Sequence, residues 1–159
     1  MSIRRMVSIY EFRDRLIVMA DRQTDAGYWQ AHEPVVRLEL SAPDAALGAA
    51  VQRVITDASG RVPAIHWKEY SEVRKRLATA AGFRAIGVFD RLARLCFVRE
   101  SDGGVFTVVP TRHGGTRGDD KGFHERLELE FAADFTDTNA VGAAVRRGLE
   151  LSSWPPQPR

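Results

Sequence analysis

The chain has 159 residues, with 23 Lys+Arg against 21 Asp+Glu, one cysteine, 44 % hydrophobic and 28 % charged side chains. A chain this long can bury roughly 70 % of the surface it exposes when unfolded, enough for one self-sufficient core. The composition excludes wholesale disorder; with no run of about 18 apolar residues a helical membrane span is excluded, and the lone Cys96 excludes an internal disulfide or a cysteine zinc site.

Residues 6–12 alternate as a strand does, Arg13-Asp14-Arg15 breaks the pattern, and residues 16–20 follow as a second strand, so an opening hairpin is expected. Residues 21–34 read as a loop carrying Tyr28 and Trp29. Val36, Leu38 and Leu40 alternate with Arg37 and Glu39 in a strand with one wet face. Ser41-Ala42-Pro43-Asp44 resembles a capping box opening a helix that carries Leu47, Val51, Val54 and Ile55 on one side and stops at Gly60. A loop with His66 and Trp67 leads to a second helix, about 71–81, in which Glu72 is placed to pair with Arg76. Residues 85–89 read as a strand, 92–98 as a longer central one, and Ser101-Asp102-Gly103-Gly104 as a hairpin turn returning through 105–109. A Gly-rich polar stretch at 111–124 precedes a strand through Leu127, Leu129 and Phe131, and a third helix carries Val141, Val145 and Leu149.

Two segments echo each other. Arg37-Leu38-Glu39-Leu40 precedes Leu47-Gly48-Ala49-Ala50-Val51, and Arg126-Leu127-Glu128-Leu129 precedes Val141-Gly142-Ala143-Ala144-Val145. The pattern predicts two equivalent strand–helix units whose Gly-Ala-Ala allows each helix to approach the sheet closely. The expected fold is α+β: a largely antiparallel sheet of about six or seven strands with three helices packed on it. Residues 1–151 form one expected domain and 152–159 a Pro-rich tail.

The charge balance is uneven. Residues 61–100 carry 9 basic and 4 acidic side chains, while 1–60 carry 7 and 8 and 101–159 carry 7 and 9. The cations Arg74, Lys75, Arg76, Arg84, Arg91, Arg94 and Arg99 make the case for a nucleic-acid-binding module. Nucleophile-elbow, zinc-protease, P-loop and dinucleotide signatures are missing. Cys96 lies in an apolar run and reads as a core residue. The 111–124 stretch is the candidate site. Its glycines expose backbone amides, Arg112, Arg117 and Lys121 add positive charge, and His113, Asp119, Asp120 and His124 are potential metal ligands or groups of a small hydrolase. A mobile solvated loop and a protein-binding loop fit the same composition.

The succession Asp25-Ala26-Gly27-Tyr28-Trp29 with Glu33-Pro34-Val35, Leu47-Gly48-Ala49-Ala50-Val51, Ala80-Ala81-Gly82, Pro110-Thr111-Arg112-His113-Gly114-Gly115 with Gly122-Phe123, and Val141-Gly142-Ala143-Ala144-Val145 resembles the CdiI immunity proteins of contact-dependent growth inhibition. The resemblance spans roughly residues 6–151, and the Pro-Thr-Arg-x-Gly-Gly piece is its most specific part. It implies a small cytoplasmic binding protein without catalysis or cofactor. Its partner would be the C-terminal toxin domain, often a nuclease, of a CdiA-type exoprotein, with no direct contact to nucleic acid or membrane; self-association is left open. Neutralisation would come from occluding the toxin's active site or substrate surface. Many such proteins are acidic; the formal net charge of +2 departs from that habit. The candidate toxin-binding residues are Arg112, His113, Arg117, Asp119, Asp120, Lys121, Trp29 and Trp67, large or charged groups on expected loops.

Overall fold

The computed structural model describes residues 2–157. Seven strands, β1 (Ile3–Glu11), β2 (Leu16–Gln23), β3 (Trp29–Leu38), β4 (Arg94–Ser101), β5 (Phe106–His113), β6 (Phe123–Glu125) and β7 (Phe131–Ala132), form one sheet. Its order is β3-β2-β1-β4-β5-β6, with β7 also on β5, and every pairing is antiparallel. Four α-helices accompany it: α1 (Asp44–Asp57), α2 (Trp67–Ala80), α3 (Gly87–Leu92) and α4 (Thr138–Leu151). The α+β class, the antiparallel sheet and the three long helices agree with the sequence pattern.

The period-two alternation of β1 and β2 sorts the core into two layers. Val7, Ile9, Leu16, Val18 and Ala20 point to one face, where α1 and α4 cover them together with Cys96, Val98 and Val108. Phe12, Ile17 and Met19 belong to the other face and meet Leu77, Ala78 and Ala81 around α2 and Phe89 of α3. Asp21 is buried among the residues of that second face. The Ser8 hydroxyl donates to its carboxylate at 2.5 Å, yet burial pushes its pKa up to about 7.

Helices α1 and α4 explain the repeated Gly-Ala-Ala differently from the sequence expectation. A methyl group added to Gly48 would overlap the Thr138 carbonyl oxygen, and one added to Gly142 would overlap that of Asp44. The glycines therefore admit one helix to the other, not a helix to the sheet. Contacts run in opposite directions along the pair: Gln52 Nε2 donates to the Phe135 carbonyl, while Arg146 reaches back to the Ala42 carbonyl and pairs with Asp44 at 2.8 Å. Asp44 is thus held by a guanidinium. The capping box is not formed, and Pro43 stands at the helix start without a side-chain cap.

Other local expectations are corrected. Residues 85–89 enter the helical α3 segment because Phe89 must reach the aromatic cluster with Phe12, Phe83 and Tyr10. Leu127–Leu129 forms a 3₁₀ turn, so the second strand of the echo shrinks to the two residues of β7. The 21–34 segment is largely strand, with β2 running to Gln23 and β3 starting at Trp29. Helix α2 begins four residues earlier than expected: the His66 side chain accepts the Lys68 amide, which sets Trp67 in the first turn. Glu72 pairs with Lys75 rather than Arg76, whose nearest carboxylate is Glu33.

Candidate functional site

The register fixes where each candidate residue lies. Gln23 pairs with Trp29, and Ile3 pairs with Ser101, so Trp29 lies at one end of the sheet on edge strand β3. Tyr70 accepts the Ala31 amide and ties the start of α2, with Trp67, to the same end. Pro110 lies opposite Cys96, so β5 runs out beside Arg94 and Glu11 at the other end. Five inter-strand spacings and the length of a strand separate the two groups, roughly 30 Å. The eight candidates do not form one patch: Arg112, His113, Arg117, Asp119, Asp120 and Lys121 lie at one corner, Trp29 and Trp67 at the diagonal one.

The Gly-rich stretch is a closed hairpin. Strand β5 extends through Arg112 and His113 and pairs with Phe123 and His124 of β6. The Gly114 amide donates to the Gly122 carbonyl, the Gly122 amide to the Gly115 carbonyl, and the Lys121 amide to the Gly118 carbonyl. Gly115, Gly118 and Gly122 take positive φ, the region that a tight turn of this kind requires. Arg112 grips Asp120 with both terminal nitrogens, at 2.5 and 2.8 Å, and this bond holds the Asp120 carboxyl below the usual carboxylate range. Arg112 thereby ties one strand of the hairpin to its tip.

His113 faces inward and is 4 % exposed. The Gly115 amide donates to its Nδ1 at 2.9 Å, which leaves the proton on Nε2 to donate to the Asp90 carbonyl at 2.6 Å. The ring also packs edge-on against Phe123, so His113 clips the hairpin to α3. His124 Nε2 contacts the Asp120 carbonyl at 2.8 Å. Among the described residues no group of three His, Cys, Asp or Glu converges as a metal site would require. Cys96 is fully buried, and burial pushes its thiol pKa up, away from nucleophilic use.

Most of the 61–100 cations are spent within the molecule. Arg74 faces Asp90, Lys75 Glu72, Arg76 Glu33, Arg94 Glu11, and Arg99 Glu125. Those pairs spread over α2, β4 and their neighbours.

The hairpin corner holds a feature invisible in the sequence. After α4, the Thr111 amide donates to Ser152 Oγ, the His113 amide donates to Ser153 Oγ, and the Ser153 amide donates to the Thr111 carbonyl. These bonds lay the tail along β5 and deliver Trp154 to the sheet end. There the guanidinium carbons of Arg13 and Arg94 stand 4.2 and 4.8 Å from its ring centroid. Phe12, Phe83, Leu92, Trp154 and Pro155 line a groove of about 580 Å³. Arg91, Pro155 and Pro156 continue it into a second concavity of about 800 Å³ that ends at residues 114–117. At the diagonal corner the pit beside Tyr70 and Ile65 measures about 190 Å³. The groove residues come from the β1–β2 turn, the loop after α2, α3 and the tail. The one signal among them is Leu92, a large apolar residue left exposed, and the sequence pattern hides it by placing it inside a strand.

No protein-family model matches the chain, and the curated proteins contain no match to it. Solved structures do match. A protein of unknown function from Neisseria meningitidis superposes with a TM-score of 0.73 at 12 % identity, over 94 % of this chain and 95 % of that one. A chain of the CdiA-CT/CdiI toxin and immunity complex from Yersinia pseudotuberculosis superposes with a TM-score of 0.67 at 16 % identity, over 96 % of this chain and 100 % of that one. At these identities the shared property is the fold. Among the described residues no helix is long and apolar enough to cross a membrane.

Proposed function

We propose that this chain is an immunity protein. It binds the C-terminal toxin domain of a contact-dependent growth inhibition exoprotein, of nuclease type, and occludes its active site or substrate surface in the cytoplasm. The observation that carries the reading is the fold shared end to end with a chain of a toxin and immunity complex. The CdiI-like succession of residues favours the immunity side of such a pair. The inward-turned His113 and buried Cys96 fit a protein that acts by binding and not by turnover.

Holding a toxin at low free concentration calls for nanomolar affinity or better, about −12 kcal/mol. The test is to read the gene immediately upstream for a large exoprotein and to co-express this chain with that exoprotein's C-terminal domain. Growth should be rescued, and the two chains should elute together with a nanomolar Kd by calorimetry. Unrescued growth together with separate elution would sink the reading.

A further inference from the structure

The groove at the hairpin corner combines three properties. It is apolar in its middle, where Leu92 stands 55 % exposed against Phe83 and Trp154. It is rigid, because Trp154 is held under two guanidiniums and its backbone is bonded to β5 through Ser153. Its charge is positive and uncompensated. Asp14, the acid in its lining, is taken by Arg15 at 2.8 Å, and Glu11 behind it is taken by Arg94 at 2.5 Å. Arg13, Arg91 and Arg117 have no carboxylate within 4.0 Å among the described residues.

We infer that this groove, from Phe12 and Trp154 across Arg91 to Arg117, seats an acidic segment of the toxin domain that carries a large apolar side chain. The inference rests on the immunity reading and names the surface and the partner chemistry for it. The apolar residue enters between Leu92, Phe83 and Trp154, and the flanking carboxylates meet Arg13 on one side and Arg91 and Arg117 on the other. Arginine forks match carboxylates bidentately, and a preformed aromatic floor loses little conformational entropy on binding. Desolvation in the apolar middle makes this the energetic centre, with the arginines fixing register and excluding basic competitors. A nucleic acid fits the surface less well: Leu92 and Pro155, rather than a row of open aromatic rings, make up much of the apolar middle.

The experiment uses the full chain and the toxin domain with which co-expression rescues growth, in the test above. The variant Arg13→Glu/Arg91→Glu/Arg117→Glu is compared with Trp67→Ala at the diagonal corner, with circular dichroism to establish that each is folded. The triple reversal should weaken binding at least about tenfold, and W67A should change it by less than about twofold. A loss below tenfold in the folded triple variant overturns the groove while the immunity reading stands. Wild-type protein that does not bind the domain at all overturns both. Hydrogen exchange on the wild-type complex removes dependence on variants: protection should appear at residues 12–14, 91–92 and 114–117 and at the amides of Trp154 and Gln157. Protection confined to the Trp29 and Trp67 corner overturns the proposal. Tight binding of a single-stranded RNA of about 20 nucleotides, lost in the triple variant, overturns it in favour of a nucleic-acid groove.

Discussion

The two faces of the sheet are built on opposite principles. The face under α1 and α4 is aliphatic at its buried centre and closed by two helices that touch backbone to backbone through Gly48 and Gly142. The other face is aromatic and polar at once: Phe12, Phe83 and Phe89 cluster beside a buried Asp21 and Ser8, and α3 stops short with Leu92 turned outward. The first face behaves as a scaffold with no room for an added methyl at its helix crossing. The second tolerates a buried acid, short elements and an open groove. On the proposed immunity reading the two faces divide the work: one holds the sheet in shape, and the other offers a margin to a partner.

Breaking the scaffold face should have the largest effect. Gly48→Ala or Gly142→Ala drives a methyl into a carbonyl of the facing helix, and no rotamer change can relieve it. The helices must separate, costing about 3 kcal/mol, or roughly 10 °C in melting temperature for a chain of this length. The control is Gly87→Ala on the other face, where an added methyl meets nothing within 4 Å and the melting temperature should hold. Equal melting of G48A and wild type in a thermal scan would show that the helix pair has slack, and the contrast between the faces would collapse. The double variant G48A/G142A should cost less than the sum, because one separation relieves both overlaps.

The second face carries its own signature in pH. Asp21 holds a pKa raised to about 7 when folded, against an ordinary value near 4 when unfolded. The folded state therefore binds the extra proton, and stability falls as pH rises through the window from about 4 to 7. Glu100, lowered chiefly by its bond to Arg5, acts in the opposite sense: its contribution is full above its ordinary value of 4.5 and is lost as pH falls from there, at the acid end of that window. Asp21→Asn keeps an acceptor for the Ser8 hydroxyl and removes the titration. It should raise stability above pH 7 by an amount on the order of a few kcal/mol and flatten the profile. Melting temperatures from pH 5 to 8 decide it: a wild-type curve as flat as that of D21N would mean that Asp21 is not desolvated.

The sequence carries the scaffold face more clearly than the other. Alternation in β1, the apolar run of β2, the Asp102-Gly103-Gly104 turn and the stripe of Val141, Val145 and Leu149 are local signals, and each becomes the element it implies. The Gly-Ala-Ala echo also marked two helices on one face, although residues alone did not say that the glycines meet each other. The second face depends on contacts distant in the chain. The segment 85–89 is short and apolar, a pattern that fits either a strand or a buried helix turn, and only the aromatic cluster decides it. Asp21, Thr24 and Gln30 look like loop residues because they are polar, yet all three are buried within or beside β2 and β3. The groove needs Arg13, Leu92 and Trp154 side by side, and no spacing rule joins them.

The hairpin at the groove's end offers the finest test of the comparison, because its order could come from side chains or from backbone. Asp120→Asn removes one charge from the bidentate pair with Arg112 but leaves the bonds of Gly114, Lys121 and Gly122 in place. Both partners are exposed, and exposed pairs contribute little to global stability. The melting temperature should therefore be unchanged within error. Amide exchange at Lys121 and Gly122 should quicken modestly, since the tip loses its cross-strand clasp while His113 still clips the base to Asp90. A clear drop in melting temperature would mean that this corner is coupled to the core as tightly as the α1–α4 crossing. The margin of the second face would then be as rigid as the scaffold it was contrasted with.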